Sequence, residues 1–198
     1  MKTSKSKIVW AIVGVVVLLL AFTVWQSYNG LVEKDEHVAN AWADVQAQYQ
    51  RRADLVPNLV ATVKGYAAHE QETLQGVVDA RAKATKLSVD AADLTPERLR
   101  EIQAAQGELS TALGRLMAIA ENYPQLRASE NFSELQAQLE GTENRINESR
   151  QLYNAAVKTY NVSVRRFPTN VFASMFGFEK KSAFEADAGA ATAPKVEF

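Results

Sequence analysis

The sequence predicts an all-α protein, with an N-terminal transmembrane helix followed by an elongated antiparallel bundle of three or four helices. Three observations carry this expectation. An uncharged apolar run extends from Ile8 to Trp25. Beyond it, apolar residues return every three or four positions over long stretches, the period of a helix with one buried stripe. Only nine glycines and five prolines occur among 198 residues, so few positions interrupt a helix.

The apolar run comes first. Roughly 18 residues at ~1.5 Å each give ~27 Å of helix, close to the ~30 Å hydrocarbon core of a bilayer. Gln26, Ser27 and Tyr28 complete a span over residues 8–28. A buried core helix would show a polar face, and this run is apolar all round. A cleaved signal peptide has a shorter core, then a small-x-small site, and Leu20 to Trp25 offers none. The run therefore reads as a retained anchor, with Trp10, Trp25 and Tyr28 near its ends where aromatic rings favour the interface. Lys2, Lys5 and Lys7 precede it, whereas Glu33, Asp35 and Glu36 follow against Lys34 alone. This bias places residues 1–7 in the cytoplasm and the remainder outside, in the periplasm or at the exterior of a bacterial cell.

Composition limits the rest. Without the three N-terminal lysines, the 22 basic residues fall to 19 against 23 acidic ones, a charge of −4. A mildly acidic domain is a poor match for nucleic acid. Zero cysteines exclude disulfides, thiolate metal sites, a cysteine nucleophile and lipid attachment at a processed N-terminus.

The first segment beyond the span runs from about Tyr28 to Leu87. Its seam reads Val38, Trp42, Val45, Tyr49, Arg52, Val56, Leu59, Val63, Tyr66 and Glu70, then loosely Leu74, Val77 and Arg81. The phase persists across Pro57, which predicts one kinked helix rather than two. Ser88 to Thr95 is a polar connection. Thr95-Pro96-Glu97 has the chemistry of a helix start. The second helix then carries Leu99, Ile102, Gln106, Leu109, Leu113, Leu116, Ala120 and Tyr123 to a stop at Pro124. Ser129 or Asn131 starts the third, with a seam from Phe132 through Leu139, Ile146, Tyr153 and Tyr160 to Phe167, ended by Pro168. A short fourth helix is expected within Thr169 to Phe178. The domain limits follow as 1–7, 8–28, a bundle over 29–184, and an Ala/Gly/Thr/Pro-rich tail over 185–198 expected to be disordered. The first segment outruns the second, so part of it must overhang or meet a second copy of the chain.

Several local runs then identify a resemblance. Tyr28-Asn29-Gly30-Leu31-Val32 follows the anchor, and Ala41-Trp42-Ala43-Asp44-Val45 comes next. Arg51-Arg52-Ala53-Asp54-Leu55-Val56-Pro57-Asn58-Leu59-Val60 leads into Val63-Lys64-Gly65-Tyr66-Ala67-Ala68-His69-Glu70. Gly141-Thr142-Glu143-Asn144-Arg145-Ile146, Tyr153-Asn154, Tyr160-Asn161, Phe167-Pro168 and Phe176-Gly177-Phe178 follow. In this order, over residues 28 to about 178, the chain resembles the LemA family of bacterial membrane proteins. The resemblance implies an N-terminal anchor in the inner membrane, an extracytoplasmic helical bundle and a poorly defined molecular role. It lends no enzyme mechanism.

Arg52 and Glu70 break the apolar seam. They would either bind a partner inside the bundle or pair with Glu143, Arg145 and Arg150 of the third helix to fix register, the better-attested role of such residues. Together with Asp54, Asn58, Asn144 and Asn154 these form the candidate interaction or structural polar network. Asn147, Arg150 and Asn154 share a face, and Asn154 and Asn161 lie one heptad apart, as in a groove for an extended peptide or a hydrated helix face. Phe172, Phe176 and Phe178 are either a docking patch or a plug for the bundle's end. His69-Glu70 lacks the second histidine of a zinc-protease motif, because position 73 is Thr73. No catalytic, metal or cofactor site is expected. The expected role is an extracytoplasmic scaffold or protein-interaction module, and the alternative is a ligand- or peptide-sensing domain signalling through its anchor. The expected partners are the lipid bilayer through residues 8–28, an unidentified protein and a second copy of the chain, with no nucleic acid.

Overall fold

The computed structural model describes residues 2–87 and 89–185. These residues form helices α1 (Lys2–Tyr66), α2 (Gln71–Lys86), α3 (Pro96–Ala120), α4 (Pro124–Arg127), α5 (Glu130–Arg165) and α6 (Thr169–Met175), with one 3-10 turn at Ala91–Asp93. Of the expected disordered tail over 185–198, only Glu185 falls among the described residues. One helix there is long and apolar enough to cross a membrane, and it is α1.

Helix α1 carries both span and bundle. Its seam from Val38 through Trp42, Val45, Tyr49, Arg52, Val56 and Leu59 to Val63 is buried. The expected continuation to Leu87 is corrected. The chain leaves the helix at Ala67, and α2 folds back antiparallel, burying Leu74, Val77 and Ala84. Tyr66 is exposed, and Glu70 stands at the start of α2. The turn keeps the stripe in phase on both sides, so periodicity alone reads through it. Burial of Leu74 and Val77 against α3 takes up the length expected either to overhang or to meet a second copy.

The four long helices run alternately up and down. Helix α1 packs chiefly on α5, and α2 on α3, with α1 and α2 joining the pairs. Two apolar clusters fill the bundle. The distal one contains Val56, Leu59, Val63, Leu109, Leu116, Leu126 and Phe132. The one nearer the span contains Val38, Trp42, Leu99, Ile102, Tyr153 and Tyr160. Thr95 caps α3 as its sequence implies, accepting from the Arg98 amide at 3.2 Å, with Pro96 in the first turn. Pro124 does more than stop α3, because it opens α4 and so buries Leu126. The connection after α2 docks through its backbone, the Val89 carbonyl accepting from Trp42 Nε1 at 2.9 Å and Gln46 Nε2 at 2.8 Å. The α5 seam is buried to Tyr160, but Phe167, expected to extend it, is 79% exposed. Helix α6 closes with Gly177 in the left-handed region (φ 76°) and the Phe178 amide donating to the Ala173 carbonyl at 2.9 Å. That is a Schellman ending, and the positive φ suits glycine.

Pro57 lies inside α1 without ending it. Proline has no N–H, so the carbonyl four residues earlier, on Ala53, loses its helical donor. Arg81 of α2 supplies a replacement, its Nε donating to the Ala53 carbonyl at 2.7 Å. Ala53 is buried, so no water substitutes easily. Replacing Arg81 by Met should therefore cost about 1–3 kcal/mol, the penalty of an unpaired buried acceptor. In a Pro57→Ala background the restored amide should remove most of that cost. Chemical denaturation of the two single variants and the double variant measures the coupling, and additive effects would refute the pairing.

Candidate functional site

The polar features converge along one cleft, bounded by α3 and α5 and floored by α1. Arg52 crosses it at mid-height. Its Nη1 donates to Glu143 Oε1 on α5 at 2.7 Å and to Ser110 Oγ on α3 at 3.3 Å. Its Nη2 donates to the Gln106 carbonyl at 3.2 Å and to Gln106 Oε1. The guanidinium also lies 5.7 Å from the Tyr49 ring centroid. Arg52 is only 2% exposed, whereas the Glu143 side chain keeps 33% of its surface. The cation is thus buried and its counter-ion is half in water. The cleft beside them encloses about 260 Å³ and is lined further by Gln103, Asn147 and Arg150.

Nearer the span, the same cleft is filled by the chain itself. Residues 179–185 leave α6 and run back along α5 toward α3. Asn161 donates Nδ2 to the Lys181 carbonyl at 2.8 Å and accepts from the Lys181 amide at 2.9 Å. Asn154 repeats this two-point clamp on Phe184, at 3.3 and 2.9 Å. One heptad of helix covers ~10.5 Å and three residues of drawn-out chain ~10 Å, so the two amides match every third residue of the strap. Tyr153 Oη donates to the Ser182 carbonyl at 2.9 Å, and Gln103 Nε2 to that of Glu185 at 3.1 Å.

Side chains set the strap's register. The Phe184 ring is buried 5.5 Å from Tyr153 and 6.1 Å from Trp42, under the Arg150 guanidinium at 4.5 Å. Lys181 Nζ meets Asp35 at 2.6 Å and lies 5.5 Å from the Tyr160 ring. Glu185 pairs with Arg100 at 3.1 Å. The Asn154 and Asn161 face therefore holds an extended peptide, and that peptide is the chain's own.

The other sequence candidates separate. Glu70 is half-buried at the α1–α2 turn, accepting from Tyr123 Oη at 3.2 Å, far from Arg52. Asp54, Asn58, Asn144, Arg145 and Asn147 are exposed, and Asp54 accepts from Gln50 at 2.7 Å on the same helix. Phe176 and Phe178 pack edge-on against Tyr28 with centroids at 5.1 and 5.8 Å. Phe172 is half-buried and Phe176 exposed. Sequence reasoning missed Phe184, Lys181 and Asp35. Its available signal was the Tyr-Asn pair repeated one heptad apart at Tyr153-Asn154 and Tyr160-Asn161.

Burial pushes the Tyr153 phenol up to about 12. Tyr160 is likewise pushed to about 12 by burial, then by Asp35 and Glu179. Burial raises Tyr49 as well, opposed by Arg150 and Arg52.

The Arg52 geometry makes an asymmetric prediction. Glu143→Ala leaves a buried cation without its counter-ion and should destabilise by about 3 kcal/mol. Arg52→Met removes charge while keeping volume, and should cost less. Denaturant midpoints order the two variants, and the reverse order would contradict the burial argument.

The tyrosines predict a weakness at high pH. Below ~10, the ordinary phenol value, both states keep their protons and the contribution is whole. Between there and about 12 the unfolded chain ionises first, so stability falls as pH rises through that window. Unfolding midpoints measured from pH 9 to 12 should drop, and drop less steeply in Tyr153→Phe. An unchanged slope would place the phenol in water.

The sequence model of the LemA family matches residues 41–198. The chain is 30% identical over 192 positions to the magnetosome protein MamQ of Magnetospirillum gryphiswaldense, covering 85% of this chain and 69% of that protein. It is 28% identical over 184 positions to MamQ 2 of Paramagnetospirillum magneticum, covering 82% and 66%. It is 25% identical over 158 positions to the protein LemA of Metamycoplasma hominis, covering 80% and 68%. The chain thus spans about two thirds of the length of each relative. With the family model covering most of its length, the chain belongs to the LemA family.

Proposed function

We propose that the protein is a single-pass membrane-anchored scaffold, displaying its helical bundle outside the bacterial cytoplasm as a protein-interaction module without enzymatic activity. The lysine-rich N-terminus stays in the cytoplasm and the bundle faces the periplasm or exterior, following the charge bias around the span. One observation carries the reading: α1 continues unbroken from the apolar run to Tyr66. Anchor and bundle share a single backbone rod of ~100 Å. A surface carried on such a rod keeps its height and orientation over the lipid, which suits positioning of other proteins.

A second reading is favoured by the strap. The Asn154 and Asn161 clamps hold main chain rather than side chain, so they suit any extended segment that satisfies the Phe184 and Lys181 positions. A domain that binds such peptides and signals through its anchor would use this cleft. Photo-crosslinking in native membranes from exposed positions on α2 and α5, in wild type and in Asn154→Ala/Asn161→Ala, tests both readings. A scaffold gives the same protein adducts in both forms. A peptide sensor gives adducts on α5 that change when the clamps are removed. Recovery of no protein adduct from either form overturns the scaffold and the sensor together.

A further inference from the structure

We propose that α6 and the end of α5 form a collar seated in the bilayer surface, with Phe167, Val171, Met175 and Phe176 inserted among the headgroups of the leaflet from which α1 emerges. The inference rests on the membrane-anchored reading and adds a second lipid-binding element to it.

Height comes from register. The Trp42 and Tyr153 rings pack at a tilt with centroids 5.5 Å apart, and Arg52 pairs with Glu143 at 2.7 Å. Ten residues up α1 correspond to ten residues back along α5, so the two helices keep one antiparallel register. Continued toward the span, that register sets Arg165, the last residue of α5, level with Gly30. Gly30 lies about five residues, or ~7.5 Å, beyond Trp25. The rings of Phe176 and Phe178 give an independent reading, since they pack on Tyr28, ~4.5 Å beyond Trp25. Headgroup regions add roughly 5–7 Å to each side of the hydrocarbon core. The collar therefore stands at headgroup level.

Chemistry agrees with height. Ala173 is buried and Phe172 and Phe178 are half-buried, so these three close the bundle's end. The remaining apolar side chains are surplus to that closure: Phe167 is 79% exposed, Met175 69% and Val171 51%, with Phe176 exposed beside them. Val171 and Met175, four apart, share the outer face of α6. Exposed Arg165, Arg166 and Lys180 flank the patch, alongside exposed Glu179, and Glu33 and Glu36 stand exposed on α1 within two turns above Gly30. Exposed apolar and aromatic side chains with charged ones at their margin match a bilayer interface. The patch is also continuous with the apolar surface of the span, whose side chains Phe22 and Trp25 are exposed.

The chain has no cysteine, so single spin labels report cleanly. Leu18→Cys in the span, Val171→Cys and Met175→Cys in the collar, and Leu152→Cys, exposed on the bundle, are introduced into the full chain. Each is placed one copy per nanodisc of phosphatidylcholine and phosphatidylglycerol. Collision with oxygen relative to a water-soluble nickel chelate reads lipid contact. The collar labels should give a ratio several-fold above that of Leu152→Cys, in the direction of Leu18→Cys. Collar labels matching Leu152→Cys while Leu18→Cys reads lipid would sink the collar and leave the anchor standing. A water-like signal at Leu18→Cys as well would remove the anchor and the collar with it. Labels shielded only when two copies share a disc would reassign the patch to a second copy of the chain and overturn the lipid proposal.

Discussion

Arg52 is a cation drawn into the core, and the spacing of the helices around it depends on its reach. Helices α3 and α5 face each other across a cleft that Arg52 spans from α1. A guanidinium at the end of a long stem contacts both walls, Gln106 and Ser110 on one and Glu143 on the other. Burying a charge is costly unless its hydrogen bonds are met. Here four acceptors converge on the two terminal nitrogens, while Nε stays without one. The planar fork accepts those partners only when they lie level with it. One side chain thereby couples the heights of three helices.

The fourth helix is keyed within the next turn and a half. Pro57 deprives the Ala53 carbonyl of its amide, and Arg81 of α2 restores the bond. The segment from Arg52 to Pro57 therefore makes a specific polar contact with each of α2, α3 and α5. Elsewhere the contacts between the long helices are chiefly apolar, with buried Thr142 and Ser149 bonding within α5, and apolar stripes can slide or rotate at modest cost. Polar keys with fixed geometry remove that freedom.

The stripes of α1, α3 and α5 were legible because helical burial repeats at 3.6 residues whatever lies opposite. The turn after Tyr66 was not. It contains neither proline nor glycine, and the stripe resumes in phase at Leu74 on the far side. Tertiary packing against α3 placed the reversal, and the local sequence marks it only by Gly65 in the last turn of α1. Arg52 was legible as an exception on its seam, and Glu143 as a partner of suitable charge. Glu70 broke the same seam for a different reason, since it sits where the helix has already ended. The strap was the hardest feature to read. Asn154 and Asn161 bind backbone atoms, which every residue carries, so no pattern in the bound segment announces the match. Only their heptad spacing and the stray aromatic Phe184 hint at it.

Strap and span meet at one place. Gly177 turns the chain from α6 back onto α5, and Phe178 touches Tyr28 within a residue of that turn. Three residues later Lys181 reaches Asp35 on α1, and at Phe184 the strap meets Trp42. The strap thus fastens to α1 at three levels, about 14 residues apart from first to last, or ~21 Å along the helix. A helix emerging alone from a bilayer would be free to bend where its neighbours begin. Here α6 and the strap brace it from Tyr28 upward, across the stretch where Asn29-Gly30 weakens it. The continuity of α1 between lipid and bundle is then a consequence of C-terminal residues packing around its root, and not of helix propensity alone.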